Sequence, residues 1–233
     1  MNDDIDDLVA AGRILADQGV VDAFGHVSMR HPSHSSRYLL SRNLAPALVT
    51  AEDIIEYDLD SNPVNAGGRS SFLERFIHGE IYKTRPDVNA IVHSHSPAVI
   101  PFGISQVPMQ ATYHMAGFLV AGVPVFEIRK AGGMTNMLVS NGALGEALAE
   151  TLADKPVALL RGHGNVVVGP TVQIAVYRAV YTEINARLQS AAIGMGGPLT
   201  FLEKEEGEAF DKVIEHQIAR PWTLWKEKVM RTK

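Results

Sequence analysis

One mixed α/β domain, spanning residues 1–233, is predicted by three features of this sequence. Segments with apolar residues at helical spacing alternate with short apolar runs of strand length. Glycine, proline, asparagine and aspartate, the usual turn residues, separate these segments. The composition, 46% hydrophobic and 20% charged, is that of a globular chain long enough for one well-filled core. With no internal repeat visible, a single α/β domain is the simplest organisation.

The N-terminal half is predicted to contain two helices and four strands. Residues 3–18 carry apolar side chains on one helical face, and Gly19 can end that helix. Residues 71–84 repeat the helical period, and this second helix must end before Pro86. The predicted strands are the apolar or β-prone segments 27–30, 38–41, 54–57 and 88–93, with a turn at 60–63.

The C-terminal half is predicted to add further strands and long helices. The predicted strands are 124–128, 157–161 and the apolar run 166–168, and the predicted helices are 141–153, 171–192, 201–219 and 222–230. A flexible break is expected at 194–198. Trp222 and Trp225 are too apolar to face water. We therefore expect the C-terminal helices, residues 201–230, to pack on the domain or to lie at a subunit interface.

Two histidines one residue apart indicate a metal site. His93 and His95 follow the buried strand, and residues i and i+2 of a strand point to the same face. His163 lies between Gly162 and Gly164 at a turn joining two apolar runs, and Glu74 lies near the N-terminus of the second helix. Imidazole and carboxylate groups bind divalent metals, and a catalytic site keeps one position open. Glu74 can therefore complete the metal shell or serve as a base.

The charge and hydropathy patterns argue against nucleic-acid and membrane partners. The net charge is −5 and no long block of like charges occurs, which argues against a nucleic-acid surface or a polybasic membrane anchor. No apolar run approaches the length of a membrane span, and no secretory leader is visible. The absence of cysteine excludes disulfides and thiolate metal ligands. We expect a cytoplasmic enzyme whose partner is a small molecule.

The stretch from Glu74 to Pro97, with the Gly162–Gly169 corner, resembles the class II aldolase/adducin family. The resemblance extends from about Phe24 to Arg187. It implies an αβα fold with a central mixed, largely antiparallel sheet. It also implies that His93, His95 and His163 bind a divalent metal, with Glu74 as a fourth ligand or as the acid/base group. Family members are usually cyclic tetramers with active sites at subunit interfaces.

The family's sugar-phosphate aldolases hold phosphate with residue pairs from which this sequence departs. Gly25-His26 replaces a Gly-Asn pair, the Thr-Gly region is Leu40–Leu44, and Ser70-Ser71 is offset by one residue from Glu74. His26, Arg42 and Ser71 are therefore candidate substrate-binding residues, and an arginine can hold a carboxylate through two parallel hydrogen bonds. This pattern favours a carboxylated substrate.

The sequence is thus similar to the family's decarboxylase branch, which includes 3-hydroxy-2-methylpyridine-4,5-dicarboxylate decarboxylase of vitamin B6 breakdown. The resemblance implies decarboxylation of a hydroxy-substituted aromatic or pyridine dicarboxylate through a metal-stabilised enolate, with Mn²⁺ favoured and Zn²⁺ or Co²⁺ as alternatives. Glu74, Tyr113 or His114 can deliver the proton. Tyr113 is preferred, because family aldolases use a tyrosine of a neighbouring subunit in this region. Two alternatives stay open: a zinc-dependent aldolase or epimerase acting on a sugar phosphate or hydroxy acid, and a non-catalytic adducin-like scaffold.

Overall fold

The computed structural model describes residues 2–231, which form a seven-stranded sheet with helices on both faces. The strands, in chain order, are β1 (His26–Arg30), β2 (Arg37–Ser41), β3 (Ile54–Asp58), β4 (Ala90–Ser94), β5 (Val125–Phe126), β6 (Val157–Leu160) and β7 (Gly164–Gly169). Their order in the sheet is β3-β2-β1-β4-β7-β6-β5. All neighbouring strands are antiparallel except β5 and β6. The predicted mixed, largely antiparallel sheet is therefore confirmed.

The α-helices of the described chain are α1 (Asn2–Asp17), α2 (Phe76–Thr84), α3 (Ile100–Ile104), α4 (Ile128–Gly132), α5 (Gly142–Leu152), α6 (Val172–Met195), α7 (Lys204–Gln217) and α8 (Ala219–Arg231). Short 3-10 helices occupy Pro46–Leu48, Ala51–Asp53, Leu73–Arg75 and His114–Ala121. Among the helices of residues 2–231, none combines the length and apolar character that a membrane crossing requires.

The alternation of side chains along each strand divides the core in two. On β4, Ala90 and Val92 face the cluster that includes buried residues of α1 and α6. Ile91 faces the opposite cluster, which α2 and α5 cover. His93 is two residues beyond Ile91 and therefore belongs to the face that α2 covers. The layered αβα arrangement is confirmed, and it fixes the side of the sheet on which the site lies.

Element boundaries differ from the predictions at three places. The helix predicted at 71–84 begins as a 3-10 turn at Leu73, because Phe72 is extended, and becomes α-helical at Phe76. The strand predicted at 124–128 shortens to β5, because the Glu127 carboxylate caps the N-terminus of α4 by accepting the Arg129 N–H. The C-terminal helices meet at Ile218 rather than at 219–222. The sequence analysis also missed α3, α4 and the 3-10 helix at 114–121.

The C-terminal helix α8 packs against the first helix of the chain. Trp222 and Trp225 are buried in the core cluster shared with α1 and α6. Lys226 forms an ion pair with Asp7 at 2.5 Å, and Lys228 forms one with Asp17 at 2.7 Å. The chain therefore covers both tryptophans itself.

Candidate metal centre

Four side chains from separate parts of the chain converge on one point. They are Glu74 from the 3-10 turn before α2, His93 from β4, His95 just after β4, and His163 from the turn between β6 and β7. One potential ligand atom from each residue lies within 4.8 Å of those of the others. These are the four metal ligands that the sequence predicts.

Strand pairing places the three histidines. His93 is opposite Val166 on β7 and opposite His26 on β1, so its backbone is held on both sides. β4 ends at Ser94, which leaves His95 at the edge of the sheet beside the β6–β7 turn. At that turn Gly162 has a φ of 62°, a conformation that glycine adopts without steric cost. A side chain on Gly164 would overlap the Ser94 carbonyl oxygen, so the close approach of β4 and β7 requires glycine there.

Backbone groups orient the ligands from outside. The Nδ1–H of His93 donates to the Asn165 carbonyl oxygen at 3.1 Å, and the Nδ1–H of His163 donates to the Met137 carbonyl oxygen at 3.0 Å. The Val139 N–H donates to Glu74 Oε1 at 2.9 Å. A hydrogen bond at Nδ1 fixes the tautomer and directs the Nε2 lone pair inward.

The geometry and the donor set fit a divalent ion. The Nε2 atom of His93 is buried and has no hydrogen-bond partner within the described residues. Glu74 Oε2 lies 3.6 Å from His93 Nε2 and 3.4 Å from His163 Nε2, and the Nε2 atoms of His95 and His163 are 3.0 Å apart. Ligands about 2.1 Å from a tetrahedral ion lie about 3.4 Å from one another. Three imidazoles and one carboxylate are thus spaced as ligands of one ion.

The ionisation state of the site also suits a cation. Burial disfavours the charged form of Glu74, but contacts with His163 and His93 outweigh burial and hold the Glu74 pKa well below its usual range. Burial lowers the pKa of His95 to about 4, and the neighbouring His93 and His163 act in the same direction. The site therefore presents an ionised carboxylate beside a neutral His95, and neutral imidazole is the form that binds metal. Burial acts to lower the pKa of His163, but the contact with the Glu74 carboxylate outweighs burial and raises this pKa, so a metal ion bound here would compete with a proton on His163.

The three predicted substrate-binding residues have different surroundings. The His26 ring lies beside His93, with their centroids 5.1 Å apart. Arg42 Nε donates to Asp53 Oδ1 at 2.6 Å, and the Ser71 hydroxyl accepts the Tyr57 O–H at 2.7 Å. Within the described chain, His26 alone of the three adjoins the four-ligand cluster.

Tyr113 and His114 lie away from the cluster of their own chain. The Tyr113 ring packs against the core that α1 and α6 cover, near Tyr181, and its hydroxyl is buried without a partner among residues 2–231. His114 is exposed and lies edge-on to Phe210, with the ring centroids 4.6 Å apart. Neither side chain contacts the four predicted ligands of the described chain.

The residues that support the ligands could not be predicted from side-chain patterns. Asn165, Met137 and Val139 act through backbone atoms, which every residue possesses, so no side-chain pattern marks them. Also not predicted were the polar partner of His26, which is His78, and the hydroxyl groups of Ser28 and Tyr82 that lie behind His78. The one available signal was a serine in β1 and a histidine in α2 at positions that the strand and helix periods assign to the core.

Comparisons with known proteins agree with this arrangement. A family model described as the Class II Aldolase and Adducin N-terminal domain matches residues 6–190. The chain is 37% identical to Decarboxylase tropJ of Talaromyces stipitatus, over 95% of this chain and 92% of the relative. It is 32% identical to the 3,4-dihydroxyphthalate decarboxylase of Arthrobacter keyseri, over 94% of each chain. The solved structure of L-fuculose 1-phosphate aldolase from Glaciozyma antarctica PI12 superposes with a TM-score of 0.79 at 24% identity, covering 97% of this chain and 88% of that one. The predicted fold is confirmed.

Proposed function

Because the chain belongs to the class II aldolase and adducin family, we propose that it is a metal-dependent carboxy-lyase acting on an aromatic acid. The observation that supports this most directly is the similarity over 94–95% of the chain to two named decarboxylases, in a chain whose own fold assembles the Glu74–His93–His95–His163 cluster. Similarity to named decarboxylases identifies the chain as an enzyme, a carbon–carbon lyase. The adducin-like scaffold alternative, by contrast, is non-catalytic.

The proposed substrate is a hydroxy-substituted aromatic or heteroaromatic dicarboxylate, pyridine dicarboxylates included. One relative is named for 3,4-dihydroxyphthalate, an acid of this class. Glu74, His93, His95 and His163 would hold a divalent ion, which would supply positive charge to stabilise negative charge on a substrate oxygen as carbon dioxide is lost. In this proposal His26, whose ring lies next to that of His93, contacts a carboxylate of the same aromatic ring. In this proposal Arg42 and Ser71 take part only if they give up their contacts with Asp53 and Tyr57.

Loss of carbon dioxide requires a proton donor for the ring carbon. Glu74 is held as the carboxylate and is engaged by the Val139 N–H, so it is better suited to binding a cation than to donating a proton. Burial raises the pKa of Tyr113, with Tyr181 adding to the shift, so its hydroxyl remains protonated and can donate. We assign the donor role to Tyr113 of a neighbouring subunit, with His114 beside it.

This assignment requires an oligomer. We propose a cytoplasmic homotetramer with each site at a subunit interface, to which residues 201–230 contribute. An apolar cleft between α7 and α8, of about 530 Å³, supports an interface there. Its lining includes Val213, which is 50% exposed, and Leu224, which is 68% exposed. Buried apolar contact between subunits would remove both from water.

Mn²⁺ is the proposed resting metal, with Zn²⁺ and Co²⁺ as alternatives. The three histidines and one carboxylate suit all three ions, whereas a substrate that adds two oxygen ligands favours Mn²⁺. Metal content of the purified protein, measured by mass spectrometry, identifies the ion. Dialysis against a chelator should abolish activity, and the resident ion should restore it best.

The decisive experiment follows two products at once. Mn²⁺-loaded protein is incubated with ortho-hydroxy aromatic dicarboxylates and, separately, with sugar-phosphate aldols, while carbon dioxide and aldehyde are measured. We expect carbon dioxide without aldehyde, and a loss of at least about a hundredfold in His93→Ala. His34→Ala, which removes an exposed histidine between β1 and β2, is the matched control and should retain full activity. Aldehyde without carbon dioxide would replace this proposal with the aldolase alternative.

A further inference from the structure

A chain of buried polar side chains runs from the interior of the protein to the candidate metal centre. The Tyr82 hydroxyl lies 2.8 Å from Ser28 Oγ, and Ser28 Oγ lies 2.6 Å from His78 Nδ1. His78 Nε2 lies 2.7 Å from His26 Nδ1. All four side chains are at least 95% buried. We refer to this set, Tyr82, Ser28, His78 and His26, as the buried relay.

The sheet and one helix build the buried relay. Ser28 and His26 alternate with Val27 on β1, so both point to the face that α2 covers. His78 and Tyr82 are one helical turn apart on α2 and therefore share the side of the helix that meets the sheet. The regular periods of both elements thus align four polar groups between α2 and the sheet.

The inner end of the relay fixes the direction of its hydrogen bonds. Tyr82 has one hydroxyl hydrogen, and Ser28 Oγ is its only side-chain partner within residues 2–231. If Tyr82 donates to Ser28, then Ser28 can donate to His78 Nδ1, and His78 Nε2–H donates to His26 Nδ1. Every buried hydrogen then has an acceptor. His26 consequently carries its own hydrogen on Nε2.

The opposite direction leaves a buried hydrogen without an acceptor. In that case His26 Nδ1–H would donate to His78, His78 to Ser28, and Ser28 to Tyr82, whose own hydrogen would have no side-chain partner. An unsatisfied buried donor is costly, and so this direction is disfavoured. Burial lowers the pKa of His78 to about 3, which keeps it neutral. A doubly protonated His78 would also donate to His26 Nδ1 and would leave the conclusion unchanged.

The outer end of the relay adjoins the metal ligands. His26 is the cross-strand partner of His93, and its ring also contacts Phe72 at a centroid distance of 4.6 Å. Within the described chain His26 Nε2 has no hydrogen-bond partner, and it is not among the fully buried unpartnered atoms. The Nε2 atom of His26, a residue that is 5% exposed, therefore retains slight access to solvent.

We propose that the buried relay holds His26 as the Nε2–H tautomer, so that His26 donates a hydrogen bond to a carboxylate oxygen of the substrate. His78 and Ser28 are then positioning residues, which act on the substrate only through His26. The part of this inference that concerns substrate rests on the proposed decarboxylase function. The part that concerns the tautomer does not.

A pair of amide substitutions at His78 tests the relay. In His78→Gln the side-chain amide reaches the position of Nε2 and can still donate to His26. In His78→Asn it reaches only the position of Nδ1, where it bonds Ser28 and leaves His26 without a donor. We expect KM for the dicarboxylate to rise about tenfold in His78→Asn, with a smaller change in kcat, and to stay within about threefold in His78→Gln. Equal effects in the two variants would show that His78 has a packing role only.

The tautomer is measured directly on protein loaded with diamagnetic Zn²⁺. Long-range ¹⁵N–¹H spectra distinguish a protonated from an unprotonated ring nitrogen, and His26→Gln assigns the signals of His26. We expect the Nε2–H form in the wild type. In Ser28→Ala, which removes the donor to His78 Nδ1, the Nδ1–H form of His26 should become populated. A wild-type Nδ1–H form, or an unaltered tautomer in Ser28→Ala, would overturn the proposal.

Two further readouts separate this proposal from the proposed function. Because His26, His78 and Ser28 are not among the four metal ligands, their variants should bind one ion per chain with unchanged affinity. If the chain releases no carbon dioxide from any substrate, the decarboxylase proposal fails while the tautomer result still stands or falls independently. If carbon dioxide is released and the amide pair shows no difference, the relay proposal alone fails.

Discussion

At the scale of single residues, one short backbone segment, residues 137–139, orients two of the proposed metal ligands. Met137 offers its carbonyl oxygen to His163, and Val139 offers its N–H to Glu74. Met137 has a φ of 71°, a left-handed conformation that is unfavourable for a side chain of its size. Such strain persists where surrounding contacts impose it and is common at functional sites. The segment is thus held in a shape that serves the ligands.

The carboxylate of Glu127 links the first turn of α4 to Arg161, the residue that follows β6. It accepts hydrogen bonds from Arg129 and forms an ion pair with Arg161 at 2.7 Å. The guanidinium of Arg129, together with Arg161, lowers the pKa of Glu127 to about 2. A carboxylate with a lowered pKa in the folded state contributes stability above its ordinary pKa, and this contribution is lost as the pH falls towards the folded value.

We therefore predict a pH-dependent effect of Glu127→Gln. The urea midpoint of the wild type should exceed that of the variant at pH 6, and this difference should shrink as the pH falls from about 4.5 towards 2. Urea titrations across that range measure it. Glu146→Gln, which alters an exposed carboxylate on α5, should show no comparable trend. A difference that stayed constant with pH would contradict the ion-pair explanation.

At the scale of elements, the pairing of β4 with β7 is what brings the histidines together. Gly164 is the first residue of β7 and lies so close to the Ser94 carbonyl oxygen that a side chain at Gly164 would force the backbone of one strand to move. His163 precedes this glycine, and His93 and His95 flank Ser94. A displacement at this one point therefore moves ligands on both strands.

Gly164→Ala should consequently impair both stability and metal binding. We expect the free energy of unfolding to fall by at least about 2 kcal/mol, because the added methyl group must displace the backbone of a neighbouring strand. Metal content per chain should fall in parallel. Gly194→Ala on α6 is the matched control, since its new methyl group meets open space and alanine favours a helix by about 0.5–1 kcal/mol. Calorimetry and metal analysis of both variants measure these effects, and normal metal content in Gly164→Ala would refute this account.

At the scale of the whole molecule, the proposed proton donor and the proposed ligands lie on different cores of one chain. Tyr113 packs with the cluster shared by α1 and α6, whereas His93 faces the side that α2 covers. Because the Tyr113 hydroxyl is buried within its own chain, the proposed proton transfer to a neighbouring site requires the residues around this hydroxyl to move when subunits assemble. The proposed roles of Tyr113 and the four-ligand cluster therefore require a site shared between subunits, and isologous or cyclic assembly would repeat such a site in every subunit.

Subunit mixing tests the shared site. His93→Ala and Tyr113→Phe should each be nearly inactive alone, whereas co-assembled chains should regain about a quarter of wild-type activity, because about one site in four then receives both native residues. Co-assembly of His93→Ala with His163→Ala should regain none, since both ligands belong to one chain. Restored activity in the mixture of His93→Ala and His163→Ala, or no restored activity in the mixture of His93→Ala and Tyr113→Phe, would contradict the proposed shared site.

The sequence by itself determined the fold class, the long helices and the four metal-ligand candidates. The helix and strand periods of a sequence indicate which side chains share a face, and the i, i+2 spacing of His93 and His95 is one such local pattern. Only the tertiary structure decided how Glu74 and His163 reach that pair, how residues 137–139 hold them, and how His26 joins Tyr82 through the buried relay. These relations depend on strand pairing and helix packing between distant segments. Because backbone donors and acceptors are the same in every residue, the sequence carries no local mark of them.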